Sequence, residues 1–173
     1  MNGLRASLLT LAFLGLTGCA YKYYEGAELS RSDTAEIRRI AYNRGSMGNS
    51  MPVTAINSVQ LPRYASNEVV LVLPGKYEVK LTRLKTVRFR GASGKRYTEE
   101  IVFVVTVGFE AKPGYSYYFT TAGSLNVSGP PETTVCAYEE LQDDFKARRD
   151  WKGDYTGPGE NARKLVCSPV ARG

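Results

Sequence analysis

Glu68-Val69-Val70-Leu71-Val72-Leu73 is a nearly unbroken apolar run; Pro74-Gly75 interrupts it, and Lys76-Tyr77-Glu78-Val79-Lys80-Leu81 then alternates polar with apolar. A short apolar run bounded by turn formers suits a strand covered on both faces, whereas period-two alternation suits a strand with one face on a core and one in water. The two segments predict a β-hairpin turning at Pro74-Gly75. Tyr77, Val79 and Leu81 would share its inner face, and Lys76, Glu78 and Lys80 its outer one.

The same grammar continues on both sides. Leu84 to Arg90, a turn at Gly91-Ala92-Ser93-Gly94, and Arg96 to Val107 predict a second hairpin; Lys112-Pro113-Gly114 then turns into Tyr115-Ser116-Tyr117-Tyr118-Phe119. Upstream, Val53 to Leu61 reads as one strand and 62–67 as a connection. Before it, a short helical turn over Ser30 to Glu36 leads into a strand through Ile37, Ile40 and Tyr42, and 43–52 reads as a loop. Downstream, 139–151 breaks the pattern with Leu141, Phe145 and Trp151 among charged residues and Gly153 placed to stop a helix. Residues 154–159 then read as a loop and Lys164 to Val166 as a short strand. Short strands punctuated by Pro-Gly and Gly-Ser predict a mainly β fold, an antiparallel β-sandwich or barrel-like sheet with a short C-terminal helix.

The N-terminus has a different character. Arg5 is followed by an apolar run from Leu8 to Leu16, far short of the ~20 residues that cross a bilayer, and this is the form of a signal peptide. Leu16-Thr17-Gly18-Cys19 matches the lipobox of bacterial lipoproteins. That resemblance implies cleavage before Cys19, a diacylglycerol on its thiol and an acyl chain, commonly palmitate, on the new amino group. Two or more chains satisfy the requirement for stable anchoring, since one binds only marginally. Ala20 stands where an aspartate would signal inner-membrane retention, so the expected address is the outer membrane, facing the periplasm.

Of the formal charge of +6 over 173 residues, Arg5 accounts for one, leaving +5 after cleavage. This excess suits anionic surfaces but comes with no nucleic-acid-binding motif. The chain has no histidine, which removes the side chain most used for acid–base work near neutral pH and for transition metals. No phosphate-binding loop, nucleotide-binding glycine motif or metal-ligand spacing is present, so no cofactor or metal is expected. With Cys19 lipidated, Cys136 and Cys167 remain to pair in an oxidising compartment, closing a loop around the C-terminal helix.

Lys80, Arg83, Lys85, Arg88, Arg90, Lys95 and Arg96 stand together with no acidic residue among them. Arg83, Lys85, Arg88, Arg90, Lys95 and Arg96 form a candidate site for anionic lipid or glycan. The plainer reading is a solvated hairpin face, with Val87 and Phe89 turned inward, that discourages strand addition. Tyr115, Tyr117, Tyr118 and Phe119 read as sheet packing, with a sugar-stacking platform as the alternative. Asp143 with Asp144, and Glu99 with Glu100, read as solvated charge because neighbouring side chains point apart. Asn126-Val127-Ser128 matches a glycosylation acceptor only by chance in a bacterial setting.

Four pieces of this chain resemble small bacterial outer-membrane lipoproteins that carry one β-sandwich domain of unknown function. They are Tyr24-Glu25-Gly26 with Leu29, Val53-Thr54-Ala55-Ile56-Asn57, Leu73-Pro74-Gly75-Lys76-Tyr77-Glu78-Val79, and Ala111-Lys112-Pro113-Gly114-Tyr115-Ser116-Tyr117. The Leu-Pro-Gly-x-Tyr element is also similar to PEGA-type and transthyretin-like modules, which implies a structural or attachment domain more than an activity. The expected organisation is a signal peptide over 1–18, a lipidated tether over 19–24, a β-sandwich over 25–135, and a disulfide-closed helix and tail over 136–173. The expected role is a non-enzymatic envelope lipoprotein, partnered by its membrane and an envelope protein and not by nucleic acid. The alternative is a periplasmic binding lipoprotein for an anionic lipid or glycan.

Overall fold

A computed structural model describes residues 20–43, 51–62, 69–123, 125, 132–148 and 158–173. Among them the elements run β1 (Tyr21–Lys22), β2 (Ala35–Asn43), β3 (Met51–Ile56), β4 (Val59–Gln60), β5 (Val69–Val72), β6 (Gly75–Arg90), β7 (Arg96–Ala111), β8 (Tyr115–Ala122), β9 (Thr134–Leu141), α1 (Gln142–Arg148), β10 (Arg163–Pro169) and β11 (Ala171–Arg172). The described residues are mainly β, in two sheets with one short helix, as the sequence predicts.

One sheet holds β1, β5, β2, β8, β9 and β10; the other holds β4, β3, β6, β7 and β11. They join at one edge where β2 meets β3 at Ile40↔Pro52 and Ala41↔Met51. At the opposite edge the C-terminal segment does the joining. β10 pairs with β9, the Val170 amide donates to the Thr133 carbonyl at 2.9 Å, and β11 pairs with β7. The pairing is therefore mostly antiparallel and closed at both edges, with β2–β8 and the short β1–β5 pairing the parallel exceptions.

Inside lie the alternating apolar residues of both layers. Val79 and Leu81 of β6 face Phe103, Val105 and Val107 of β7, against Ile37, Val70, Val72, Tyr117, Phe119, Val135 and Ala137 of the other sheet. Lys76, Glu78 and Lys80 are exposed, as the alternation requires.

The hairpin expected at Pro74-Gly75 is not formed. β5 pairs with β2 and β1, whereas β6 pairs with β3 and β7, so Pro74-Gly75 is a corner that carries the chain from one sheet to the other. Proline fixes φ near −65°, but two-residue hairpins need turns whose first central residue has φ above zero. Pro113-Gly114 makes the equivalent crossing from β7 back to β8, and both corners lie at the Gly75↔Ala111 end of one long ladder. The two-residue turn sits instead at Asn57-Ser58, with φ of 46° and 66°, inside what reads in sequence as a single strand. Asn57 is held there by exchange with Glu78: its amide donates to the Glu78 carbonyl and its Oδ1 accepts from the Glu78 amide, both at 2.8 Å.

Other boundaries move too. Leu84 to Arg90 is the outer half of one 16-residue strand rather than a separate one. Residues 139–141 finish β9, so the helix begins only at Gln142; its expected end at Trp151 and Gly153 lies outside the described residues. The C-terminal strand is longer than Lys164 to Val166, and the segment from 134 onward belongs to the sandwich rather than hanging from it. The turn at Ser30–Asp33 leads directly into β2 at Ala35 without a helix. Within the stretch expected to be a tether, Tyr21–Lys22 pairs with β5, and Tyr21 and Tyr23 pack on the core.

Candidate functional site

Beyond Leu81, which pairs with Val53 of β3, β6 continues for nine residues against β7. β11 reaches only Phe103 and Val104 on the far side, with the Gly173 amide donating to Val102. From the Lys85↔Ile101 pair outward, β6 and β7 form a two-stranded arm. Such a ribbon is marginal in water without something against it. Every residue of the tip from Arg88 to Thr98 is exposed except Gly91, which is half-covered.

The register assigns each side chain of the arm to a face. Phe89 stands opposite Tyr97, their rings stacked with centroids 5.5 Å apart, yet 48% and 45% exposed. Gly91 makes room for this pair, since a Cβ there would lie 2.6 Å from Tyr97 Cε2. Gly94, at φ +77°, closes the turn with its amide donating to the Gly91 carbonyl at 2.9 Å, a backbone region open to glycine at little cost. Arg88, Arg90 and Arg96 line the other face, with Lys95 in the turn.

The expected anion site therefore divides. Arg83 and Lys85 fall on the core side and are half-buried, Lys85 donating to the Leu125 carbonyl at 3.2 Å, while Arg88, Arg90, Lys95 and Arg96 gather at the exposed tip. Phe89, expected to point inward, lies past the end of the core and is exposed. Glu99 and Glu100 fall on opposite faces of the arm. Asp143 sits 3.8 Å from Lys146, and Asp144 accepts from Asn161 at 3.4 Å. Cys136 and Cys167 stand directly opposite on β9 and β10 with sulfurs 2.08 Å apart. Leu16, Thr17, Gly18 and Cys19 lie outside the described residues, as does Asn126-Val127-Ser128.

The tyrosine strand is packing rather than a platform. Tyr117, Tyr118 and Phe119 are fully buried; Tyr117 stacks on Phe109 at 4.7 Å, while Tyr118 faces the other way onto Tyr138 and Phe145.

Sequence reasoning missed the buried charges on both faces of this sheet. On the inner face Glu139 accepts from Tyr117 Oη at 3.2 Å, Lys112 Nζ at 3.1 Å and Arg163 Nε at 2.6 Å. On the outer face Glu36 accepts from Arg38 at 2.8 Å and from Ser116 at 3.0 Å, and Tyr118 donates to Glu140 at 3.2 Å. α1 roofs this outer group, with the Phe145 ring stacked on the Arg38 guanidinium at 4.5 Å. The available signal was the polar interruption of β8 and β9 at Ser116 and at Glu139-Glu140, which reads more readily as the start of a helix.

Burial first, and the Glu139 carboxylate second, push the Tyr117 hydroxyl well above the usual tyrosine range, against a favourable hydrogen bond from the Lys112 amide. Burial raises Tyr23 and Tyr77 as well. Folding thus favours the protonated phenols, a contribution fully present below pH ~10 and lost as pH climbs toward the folded values. Thermal melts should be unaffected by these groups at neutral pH and fall as pH rises past ~10. Tyr117→Phe should make that alkaline decline shallower, and an identical slope in the variant would contradict the assignment.

Among the described residues, no group of three or more His, Cys, Asp and Glu side chains converges as for a metal ion, and no helix is long and apolar enough to cross a membrane. No protein-family model, curated protein or solved structure matches the chain.

Proposed function

We propose that this chain is an acylated bacterial envelope protein, held by lipid on Cys19 at the periplasmic side of the outer membrane. It works there by surface contact rather than by catalysis. The observation that carries the contact reading is the arm: a ribbon that leaves a closed sandwich and holds an aromatic pair and four cations in water. An exposed apolar pair rimmed by charged residues has the form of a contact surface. The buried carboxylates Glu36, Glu139 and Glu140 are each engaged by neighbouring side chains, which suits a structural role.

The anchor reading rests on Leu16-Thr17-Gly18-Cys19 and on the start of β1 at Tyr21, which leaves Ala20 alone between the modified residue and the fold. The disulfide-distance pair Cys136 and Cys167 suits an oxidising compartment. An envelope protein is the partner in this reading. The second reading, a binder of anionic lipid or glycan, is favoured by the collection of Arg88, Arg90, Lys95 and Arg96 at one exposed tip. Cys19→Ser tests the anchor. The variant should move from the membrane fraction to the soluble one and lose the mass of its acyl chains; unchanged mass and partitioning would overturn the reading.

A further inference from the structure

We infer that the arm tip is a second membrane contact, in which Arg88, Arg90, Lys95 and Arg96 bind the phosphates of anionic phospholipid head groups while Phe89 and Tyr97 sit at the interface. The inference deepens the second reading above by naming the ligand class and the residues that take it.

Two independent observations carry it. The first is chemical complementarity. Four cations lie within nine residues, with no acidic side chain from Arg88 to Thr98, around a stacked Phe–Tyr pair. Aromatic rings beside arginine and lysine suit the head-group layer, which is apolar on one side and wet and anionic on the other. The small apex, Ala92-Ser93, leaves no bulky side chain to hold the tip off a bilayer.

The second is direction. β6 runs outward along the arm, β3 antiparallel to it, β2 antiparallel to β3, β5 antiparallel to β2, and β1 parallel to β5. The chain preceding Tyr21 therefore leaves the sandwich toward the end from which the arm projects. Tyr21 is level with Tyr77 through the Val70, Ile37 and Tyr117 pairings and the Tyr117–Phe109 stack, so an acylated Cys19, two residues away at up to ~3.6 Å each, stays well short of the tip, and anchor and tip meet one bilayer with the long axis of the sandwich inclined toward it.

Vesicle co-sedimentation of the full chain carrying Cys19→Ser tests the arm without any acyl chain, so its outcome is independent of whether Cys19 is lipidated. Vesicles of phosphatidylglycerol in phosphatidylcholine should retain the protein more strongly than phosphatidylcholine alone, and salt should abolish the difference. Each cation near an anionic surface strengthens binding roughly fivefold, so Arg88→Glu with Arg90→Glu should weaken retention by about 25-fold or more. Both side chains are exposed, so the fold should survive, as an unchanged melting curve would show. As a second measurement, Tyr97→Trp combined with Trp151→Phe, which leaves one indole in the chain, should give an emission that shifts to the blue on the anionic vesicles and is quenched by brominated lipid. Equal retention on both vesicles, retention indifferent to the arginine reversal, or equal capture by lipid-free heparin beads would each overturn the inference.

Discussion

Arg38→Met is expected to destabilise the protein by about 3–5 kcal/mol, the range seen when one partner of a buried ion pair is removed. Glu36 and Arg38 are two apart on β2 and so share its outer face, where they are 3% and 7% exposed. The pair is closed from above by α1, with the guanidinium stacked on Phe145, and from the side by the Ser116 hydroxyl. Methionine would keep much of the contact with the phenyl ring but leave the Glu36 carboxylate, already out of water, with the Ser116 hydrogen bond and without the Arg38 charge. Urea denaturation measures the loss. Adding Glu36→Leu and Ser116→Ala should recover the part of the loss that comes from the stranded carboxylate, because an apolar pair at these positions leaves no charge to compensate. A single variant within about 1 kcal/mol of the parent would show that water reaches the pair.

Cys136→Ser with Cys167→Ser is expected to cost about 3.7 kcal/mol, from the chain entropy of a closed loop spanning 31 residues. That corresponds to roughly 10 °C in melting temperature for a chain of this size. The crosslink ties β9 to β10, and β10 continues through buried Val170 into β11, the strand that reaches across to β7. Loss of the crosslink should therefore be felt first at the second edge, as faster amide exchange at Val170 and Gly173. Unchanged stability with unchanged exchange there would mean that backbone pairing alone holds the closing segment.

The alternation in Lys76 to Leu81, the Gly91–Gly94 turn and the β-rich class were legible because each is a local property of the chain. Partnership between strands was not. Pro74-Gly75 is a turn signal whether it folds a strand back on its neighbour or sends it to another layer, and only proline's fixed φ argued for the latter. The β2–β8 pairing joins residues 80 apart in sequence, and no local pattern announces it. Of the site, the cationic run was plain; which of its members face the core depended on register. Arg83 and Lys85 continue the inner face of Val79 and Leu81, whereas Arg88 and Arg90 do not, and the division follows from counting in twos along a strand that reads as two pieces. Glu36 and Glu139 were invisible for another reason, since a buried carboxylate is recognisable only through the donors brought to it from other strands.

Closure of the second edge by the C-terminal segment also has a kinetic meaning. The β6–β7 ladder is local and can zip from its own turn in microseconds, but β11 must find β7 across a long intervening loop, a class of contact that slows folding to milliseconds or longer. Folding that starts at the β6–β7 turn therefore passes through a stage with one seam open. Pulsed hydrogen exchange during refolding should find the Val170 amide among the last to gain protection.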